Sequence, residues 1–156
     1  AVAALLSHHG PQEDEVEGRD DRQQDGDVLH YRSSSRAGTA SRVLGAMAEG
    51  GVNLLAFTGF PASGGKSQLD LVTDNLPAVR RVAKKHGWKL GENKRGFLAQ
   101  GKDRVGGVYR QIRGLAKHGV NMVAVDAVAV GKGRFGMILW VKPKDYARAA
   151  AALGAR

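Results

Sequence analysis

The strongest constraint on the fold of this chain is an internal repeat with an offset of 68 residues. Shifting the sequence by that distance places Gly51-Val52-Asn53 on Gly119-Val120-Asn121. Ten of the 44 positions from 29 to 72 are identical across the shift, and mismatches such as Leu44 with Ile112 keep their apolar character. A duplicated module explains this pattern, so we expect both copies to fold in the same way.

Each copy shows the same succession of hydrophobic periods. A strand is followed by a polar loop that ends in Gly, an amphipathic helix, two strands joined by a Gly-rich turn, and a second helix. The predicted elements are strand 28–32, helix 40–48, strands 52–60 and 68–72 and helix 77–86 in the first copy, and strand 96–100, helix 108–116, strands 120–130 and 135–141 and helix 145–153 in the second.

The closing strand of each unit is less certain from the pattern. Trp88–Leu90 forms a plausible fourth strand in the first copy, whereas the second copy ends before it can make one. We therefore predict that the last strand of the second copy is absent or very short. The order βαββαβ predicts an α+β fold of two tandem ferredoxin-like units with antiparallel sheets, the first copy at 28–93 and the second copy at 94–156.

Residues 1–27 differ from the repeat in composition and charge. They contain eight acidic and two basic residues, and Val16 is the only large aliphatic residue between positions 7 and 27. A segment with so little apolar surface cannot offset the entropy lost on ordering, so we predict a disordered acidic N-terminal arm. The remaining residues hold 22 basic and seven acidic side chains, a strongly basic balance that would attract an anionic ligand or nucleic acid.

With its repeat, the chain resembles the ACT domain family, and it is most similar to stand-alone tandem ACT proteins without a catalytic domain. The resemblance covers about residues 28–156. It rests on the loop and helix that end at Gly51-Val52-Asn53-Leu54 and at Gly119-Val120-Asn121-Met122, on the loop Asp103-Arg104-Val105-Gly106, and on the spacing of the helices.

The resemblance implies that an amino acid or similar effector binds between paired ACT units. The usual contacts are the loop before the first helix and the Asn that opens the second strand. Carried onto this sequence, they are Ala37, Gly38, Thr39 and Asn53 in the first copy and Asp103, Arg104, Gly106, Gly107 and Asn121 in the second. The physical chemistry agrees, because the orphaned N–H groups of a helix N-terminus suit a carboxylate and glycine lets a ligand approach the backbone.

The chain departs from the family pattern in the loop before the first helix. The Pro that often precedes the Gly is replaced by Ala37 and Val105, and the first copy has Ser35 where the second has Asp103. The second copy is therefore the better candidate for an intact site. A purely structural interpretation stays open as well: the glycines would permit the strand-to-helix turn, and the two Asn side chains would satisfy turn backbone groups.

No pattern in the sequence predicts catalysis. Gly131-Lys132-Gly133 with Gly136 matches a dinucleotide fingerprint as text, but a strand follows where a helix is required. Gly65-Lys66-Ser67 resembles a phosphate-binding loop, but there too a strand follows where a helix is required. The five histidines show no metal-ligand spacing, and no pair of acids suits general acid and base roles. We predict a protein that is not an enzyme and has no metal or cofactor.

Two classes of function remain. The first is a regulatory or sensory protein that binds a small effector and pairs its units within the chain or as a homodimer, since edge-to-edge pairing removes exposed strand edges. The second is a nucleic-acid-binding module, whose available strand aromatics are Phe57, Phe60, Phe97, Phe135 and Trp140. A structural adaptor with a decayed pocket is a further alternative. The absence of cysteine and of a long apolar segment predicts a cytoplasmic protein without membrane contact.

Overall fold

The computed structural model describes residues 22–155, which form one six-stranded antiparallel sheet with four α-helices. The strand order is β2-β3-β1-β4-β6-β5. The elements are β1 (Arg22–Ser34), α1 (Thr39–Glu49), β2 (Ala56–Ala62), β3 (Lys66–Thr73), α2 (Leu76–Lys85), β4 (Leu90–Lys102), α3 (Gly107–Lys117), β5 (Met122–Gly131), β6 (Arg134–Val141), a 3₁₀ turn (Pro143–Asp145) and α4 (Tyr146–Leu153). The α+β class and the order βαββα in each copy are confirmed.

The four helices cover one face of the sheet through two apolar clusters of matching composition. In the first copy, Val43 and Met47 of α1 and Val79 of α2 pack on Leu69 and Leu71 of β3. The second copy repeats this arrangement. Leu115 of α3 and the α4 residues Ala149 and Leu153 lie against a strand layer formed by Phe97, Ala99, Phe135, Met137, Leu139 and Val141. The helical period of the apolar residues therefore places the helices as expected.

Strands β1 and β4 are each shared between the two copies. Asp27–Ser34 of β1 pairs with β3, whereas Arg22–Asp25 pairs with Phe97–Gln100 of β4. The start of β1 thus supplies the fourth strand of the second copy, and the start of β4 supplies that of the first. The prediction that the second copy has no substantial fourth strand was wrong, because that strand comes from the other end of the chain.

The predicted disordered arm is corrected for the same reason. Residues 22–27 were included in the arm, but they belong to β1. These residues offer little apolar surface to bury, yet their backbone groups pair with β4. Such pairing is possible because the hydrogen bonds of a β-ladder join backbone groups, whatever the side chains are. The rest of the arm, residues 1–21, lies outside the described residues.

The pairing register of β1 and β4 places a single residue pair at the centre of the two-fold arrangement of the copies. Asp27 lies opposite Arg95, and these two positions differ by the repeat offset of 68 residues. A pseudo-two-fold axis therefore passes through this pair and relates the two copies. On the helix side of the sheet, Asn93 Nδ2 donates to Asp27 Oδ1 at 2.8 Å, and the Arg95 guanidinium lies 4.0 Å from the centre of the Tyr146 ring.

The face of the sheet without helices is also buried at its centre. Val28 and Val72 have no exposed surface, and Ile138 and Trp140 are 6% exposed. Residues 56–58 of the β2 edge and residues 126–128 of the β5 edge line one and the same cavity, although they lie at opposite edges of the sheet. The sheet is therefore strongly curled, and its concave face encloses a third apolar cluster.

Close packing on the concave face depends on two cross-strand partners that have no side chain, Gly26 and Gly96. A Cβ atom on Gly26 would lie 2.8 Å from Val72 Cγ1, and one on Gly96 would lie 3.1 Å from Trp140 Nε1. We expect Gly26→Ala to lower the free energy of unfolding by about 2 kcal/mol through overpacking. Chemical denaturation measures this change.

Gly45→Ala is the matched control for that substitution. Gly45 lies within α1, is exposed, and has open space around the position of a Cβ atom. Alanine there should raise the stability by about 0.5–1 kcal/mol, since a helical glycine costs backbone entropy. Equal effects of both substitutions would contradict the packing described for the concave face.

Deleting residues 1–27 should destabilise the second copy selectively. The deletion removes the strand that pairs with Phe97–Gln100 of β4, and several backbone hydrogen bonds of about 1 kcal/mol each are lost. Amide hydrogen exchange should show faster exchange in β4 beyond Gly96, while the amides of β3 keep their protection. Unchanged protection along β4 would show that the start of β1 does not complete the second copy.

Candidate functional site

The two predicted effector loops have the same backbone geometry. Gly38 and Gly106 precede α1 and α3 with φ angles of 82° and 77°, in the left-handed region that favours glycine. Neither helix has a side-chain cap at its N-terminus. A Cβ atom at either glycine would meet open space, so the backbone angle rather than crowding requires glycine there.

The other predicted loop residues serve partly structural roles. Thr39 is buried and its hydroxyl donates to the Ser34 carbonyl at 3.2 Å. A Cβ atom on Gly107 would lie 2.9 Å from the Lys102 carbonyl oxygen, so this glycine lets α3 approach β4. The remaining three side chains, those of Ala37, Asp103 and Arg104, are exposed, as is that of Val105, which replaces the Pro of the family pattern.

Asn53 and Asn121 lie far from the loops of their own copies. Each follows the C-terminus of the helix that the loop precedes, and a helix of 11 residues is about 16 Å long. Both side chains are exposed, and the Asn53 backbone carbonyl accepts a hydrogen bond from the Thr73 hydroxyl. A small effector therefore cannot contact the loop and the Asn of one copy together, so the nine predicted residues need a second unit to form one site.

The concave face of the sheet contains two cavities that the pseudo-two-fold axis relates. One has a volume of about 820 Å³ and includes Leu98, Gly136 and Ile138. The other has a volume of about 810 Å³ and includes the equivalent positions 30, 68 and 70. None of the nine predicted effector residues lines either cavity. The concave cavities are thus distinct from the predicted loop site.

The cavity of the first copy contains a polar cluster, which we call the His30 cluster: His30, Gln68 and Asp70. Asp70 is 4% exposed, and its Oδ1 accepts from His30 Nδ1 at 2.5 Å and from Gln68 Nε2 at 2.9 Å. In the second copy the equivalent residues are Leu98, Gly136 and Ile138. The two copies of the module therefore differ at this position, which is polar and buried in the first copy and apolar in the second.

The His30 cluster was not predicted from the sequence. The alternation of polar and apolar residues at 68–72 predicts one buried face and leaves Asp70 on a solvated side, but curling of the sheet buries both faces. The repeat contains a signal that could have predicted this cluster. A residue-by-residue comparison of the copies pairs His30 with Leu98 and Asp70 with Ile138, and such exchanges at aligned strand positions mark a change of environment.

The structure gives little support to nucleic-acid binding on the sheet. Among the five strand aromatics considered for base stacking, Phe97, Phe135 and Trp140 are buried, and Phe60 reaches 37% exposure. Base stacking requires accessible ring faces, so the concave face is not a stacking platform. Some of the basic side chains, such as Arg80 and Lys84, lie on the exposed side of α2 and not on the sheet.

Residues 22–155 also contain no group of three or more His, Cys, Asp or Glu side chains placed to hold a metal ion. Over the same range, no helix is long and apolar enough to cross a membrane.

Comparison with known proteins identifies the fold. No family model matches the chain, and no curated protein matches it. Among solved structures, protein BT0572 from Bacteroides thetaiotaomicron aligns with a TM-score of 0.70 at 14% identity, over 85% of this chain and 88% of that one. The regulatory subunit of aspartate kinase from Thermus thermophilus, in its ligand-free form, aligns with a TM-score of 0.61 at 14% identity, over 86% and 94%.

A third similar structure is part of a longer chain. Aspartate kinase from Synechocystis aligns with a TM-score of 0.58 at 15% identity, over 86% of this chain and 26% of that one. At these identities the likeness establishes the fold. The ACT-type fold predicted from the repeat is therefore confirmed, and the similar structures include a regulatory subunit.

The His30 cluster predicts opposite effects for a single and a double substitution. His30→Leu leaves the Asp70 carboxylate buried without its cationic or N–H partner, so we expect a loss of about 3 kcal/mol in the free energy of unfolding. His30→Leu combined with Asp70→Ile removes both partners of the His30–Asp70 contact and installs the second-copy residues at two of the three positions. Gln68 is only partly buried and can turn to solvent, so we expect stability within about 1 kcal/mol of the unchanged protein. Urea denaturation of the three proteins tests this, and a double variant as unstable as the single one would contradict it.

Proposed function

We propose that this chain is a non-catalytic regulatory protein that binds an amino acid or similar small effector at paired ACT-type units. The observation that carries the proposal is the repeated helix N-terminus. In both copies a left-handed glycine opens the helix and no side chain caps it, so backbone N–H groups are available to a ligand. A carboxylate is the group such a terminus attracts, through hydrogen bonding and the helix dipole.

The proposed site combines a loop from one unit with an Asn from another. Its residues are those predicted from the resemblance: Ala37, Gly38, Thr39 and Asn53 in the first copy, and Asp103, Arg104, Gly106, Gly107 and Asn121 in the second. Within one copy, the length of a helix separates the loop from the Asn. This separation supports a site that is completed by a second chain, and we propose a homodimer for this reason. The two effector units correspond to residues 28–93 and 94–156, with the start of β1 completing the second.

The likeness to a regulatory subunit of aspartate kinase supports this function over catalysis. The loop of the second copy also carries more groups that can bind an amino acid, because Asp103 offers an acceptor for an ammonium group and Arg104 a donor for a carboxylate. We therefore propose that the principal effector site lies at the loop of the second copy of one chain and is completed by Asn121 of a second chain in the homodimer.

A thermal-shift screen of the full chain against the twenty amino acids tests the proposal. A ligand at about 100 times its dissociation constant should stabilise the protein by about 2.7 kcal/mol, which raises Tm by several degrees. We expect Asn121→Ala to abolish the shift and Asn53→Ala, its matched control in the other copy, to retain most of it.

Two results would contradict the proposal. The first is the absence of a shift with every amino acid in the screen. The second is a monomer by light scattering, both with and without a stabilising ligand, since the proposed site needs a second unit.

A further inference from the structure

We propose that the concave cavity beside the His30 cluster is a second binding site, which takes a small organic carboxylate with an apolar body. This site is separate from the loop site of the proposed function and does not depend on it. Its walls are Phe60, Val123, Ala124 and Trp140, and its floor is the His30 cluster. The volume of about 810 Å³ is in the range of small-molecule sites.

The contrast between the two copies shows that the polar floor is not a requirement of the fold. The second copy builds the same curled strands with Leu98, Gly136 and Ile138 at the equivalent positions. Burying an ionised carboxylate and an imidazole opposes folding unless the groups are well paired. The first copy thus has buried polar groups that oppose folding at a position where the fold also accepts apolar residues. Such an arrangement is expected of a binding site.

Two nitrogen atoms of residues that line the cavity, His30 Nε2 and Trp140 Nε1, are buried without a hydrogen-bond partner in the described part of the chain. Asp70 lies on the Nδ1 side of the imidazole and so fixes the ring with Nε2 directed away from the carboxylate. The indole N–H can only donate, so an acceptor oxygen of a ligand would satisfy it.

Charge and shape narrow the ligand class to a carboxylate with an apolar body. Three basic side chains, Lys94, Arg95 and Lys142, line the cavity against two acids, Glu92 and the buried Asp70, which favours an anion. Phe60 and Val123 are 37% and 64% exposed, and an apolar ligand body would cover them. The residues that line this cavity include no Ser, Thr or Cys.

Nuclear magnetic resonance of the full chain, labelled with ¹⁵N, tests the site with benzoate and 3-methylbutanoate as probes. We expect saturable shifts of the Trp140 indole N–H and of the His30 ring nitrogens below about 20 mM probe. The indole of Trp88, which packs in the helix-side core of the first copy, is the internal control and should not move. Benzamide, the neutral analogue of benzoate, should bind at least about tenfold more weakly.

Variants separate this site from the loop site. His30→Leu with Asp70→Ile should weaken benzoate binding at least about tenfold, as followed at the Trp140 indole. Thr58→Val, which replaces a buried hydroxyl in the other cavity, and Asn121→Ala, in the loop site, should leave the affinity unchanged. The proposal is overturned by the absence of saturable shifts, by equal binding of benzamide, or by unchanged affinity in the double variant.

Discussion

The pairing of β1 with β4 is the interaction on which the rest of the structure depends. Each strand is 13 residues long. The first half of β1 completes the second copy and its second half belongs to the first copy, whereas the first half of β4 completes the first copy and its second half belongs to the second. Neither copy has four strands without the other, so the two units form a single sheet rather than two independent sheets. The pseudo-two-fold axis at Asp27 and Arg95 follows from this register, and it places equivalent loops at opposite ends of the sheet.

Sharing two strands also explains why both faces of the sheet are buried. A six-stranded sheet with right-handed twist curls, and the helices on its convex face leave the concave face to be filled by its own side chains. Large residues such as Trp140 and Leu98 lie over the glycine pair at the centre, where a Cβ atom would not fit. The cavities that remain on either side are products of the duplication, and their divergence gives each copy its own chemistry.

The sequence predicted the parts of the fold that local periods and the repeat determine. Helices α1 to α4 and the Gly-rich hairpin turns were predicted because amphipathic spacing and turn residues are local signals. The structure of Arg22–Asp27 was not predicted, since the pairing of a polar strand depends on partners 68 to 78 residues away in the sequence. The His30 cluster was missed because strand alternation does not reveal that a sheet curls over its second face. For the loop site, the sequence predicted that glycines permit the strand-to-helix turn but not the distance between each loop and its Asn.

The shared strands impose an order of events as the chain is made. Asp27–Ser34 of β1 has all its β3 partners once Thr73 has emerged, whereas Arg22–Asp25 has no partner until β4 is complete to Gln100. During that interval the first four residues of β1 are an unpaired strand at the edge of a growing sheet, a situation that promotes association between nascent chains. Their composition, Arg-Gln-Gln-Asp, is hydrophilic and charged. We therefore expect the polarity that made this segment resemble an unstructured arm to oppose such association until the partner strand has been synthesised.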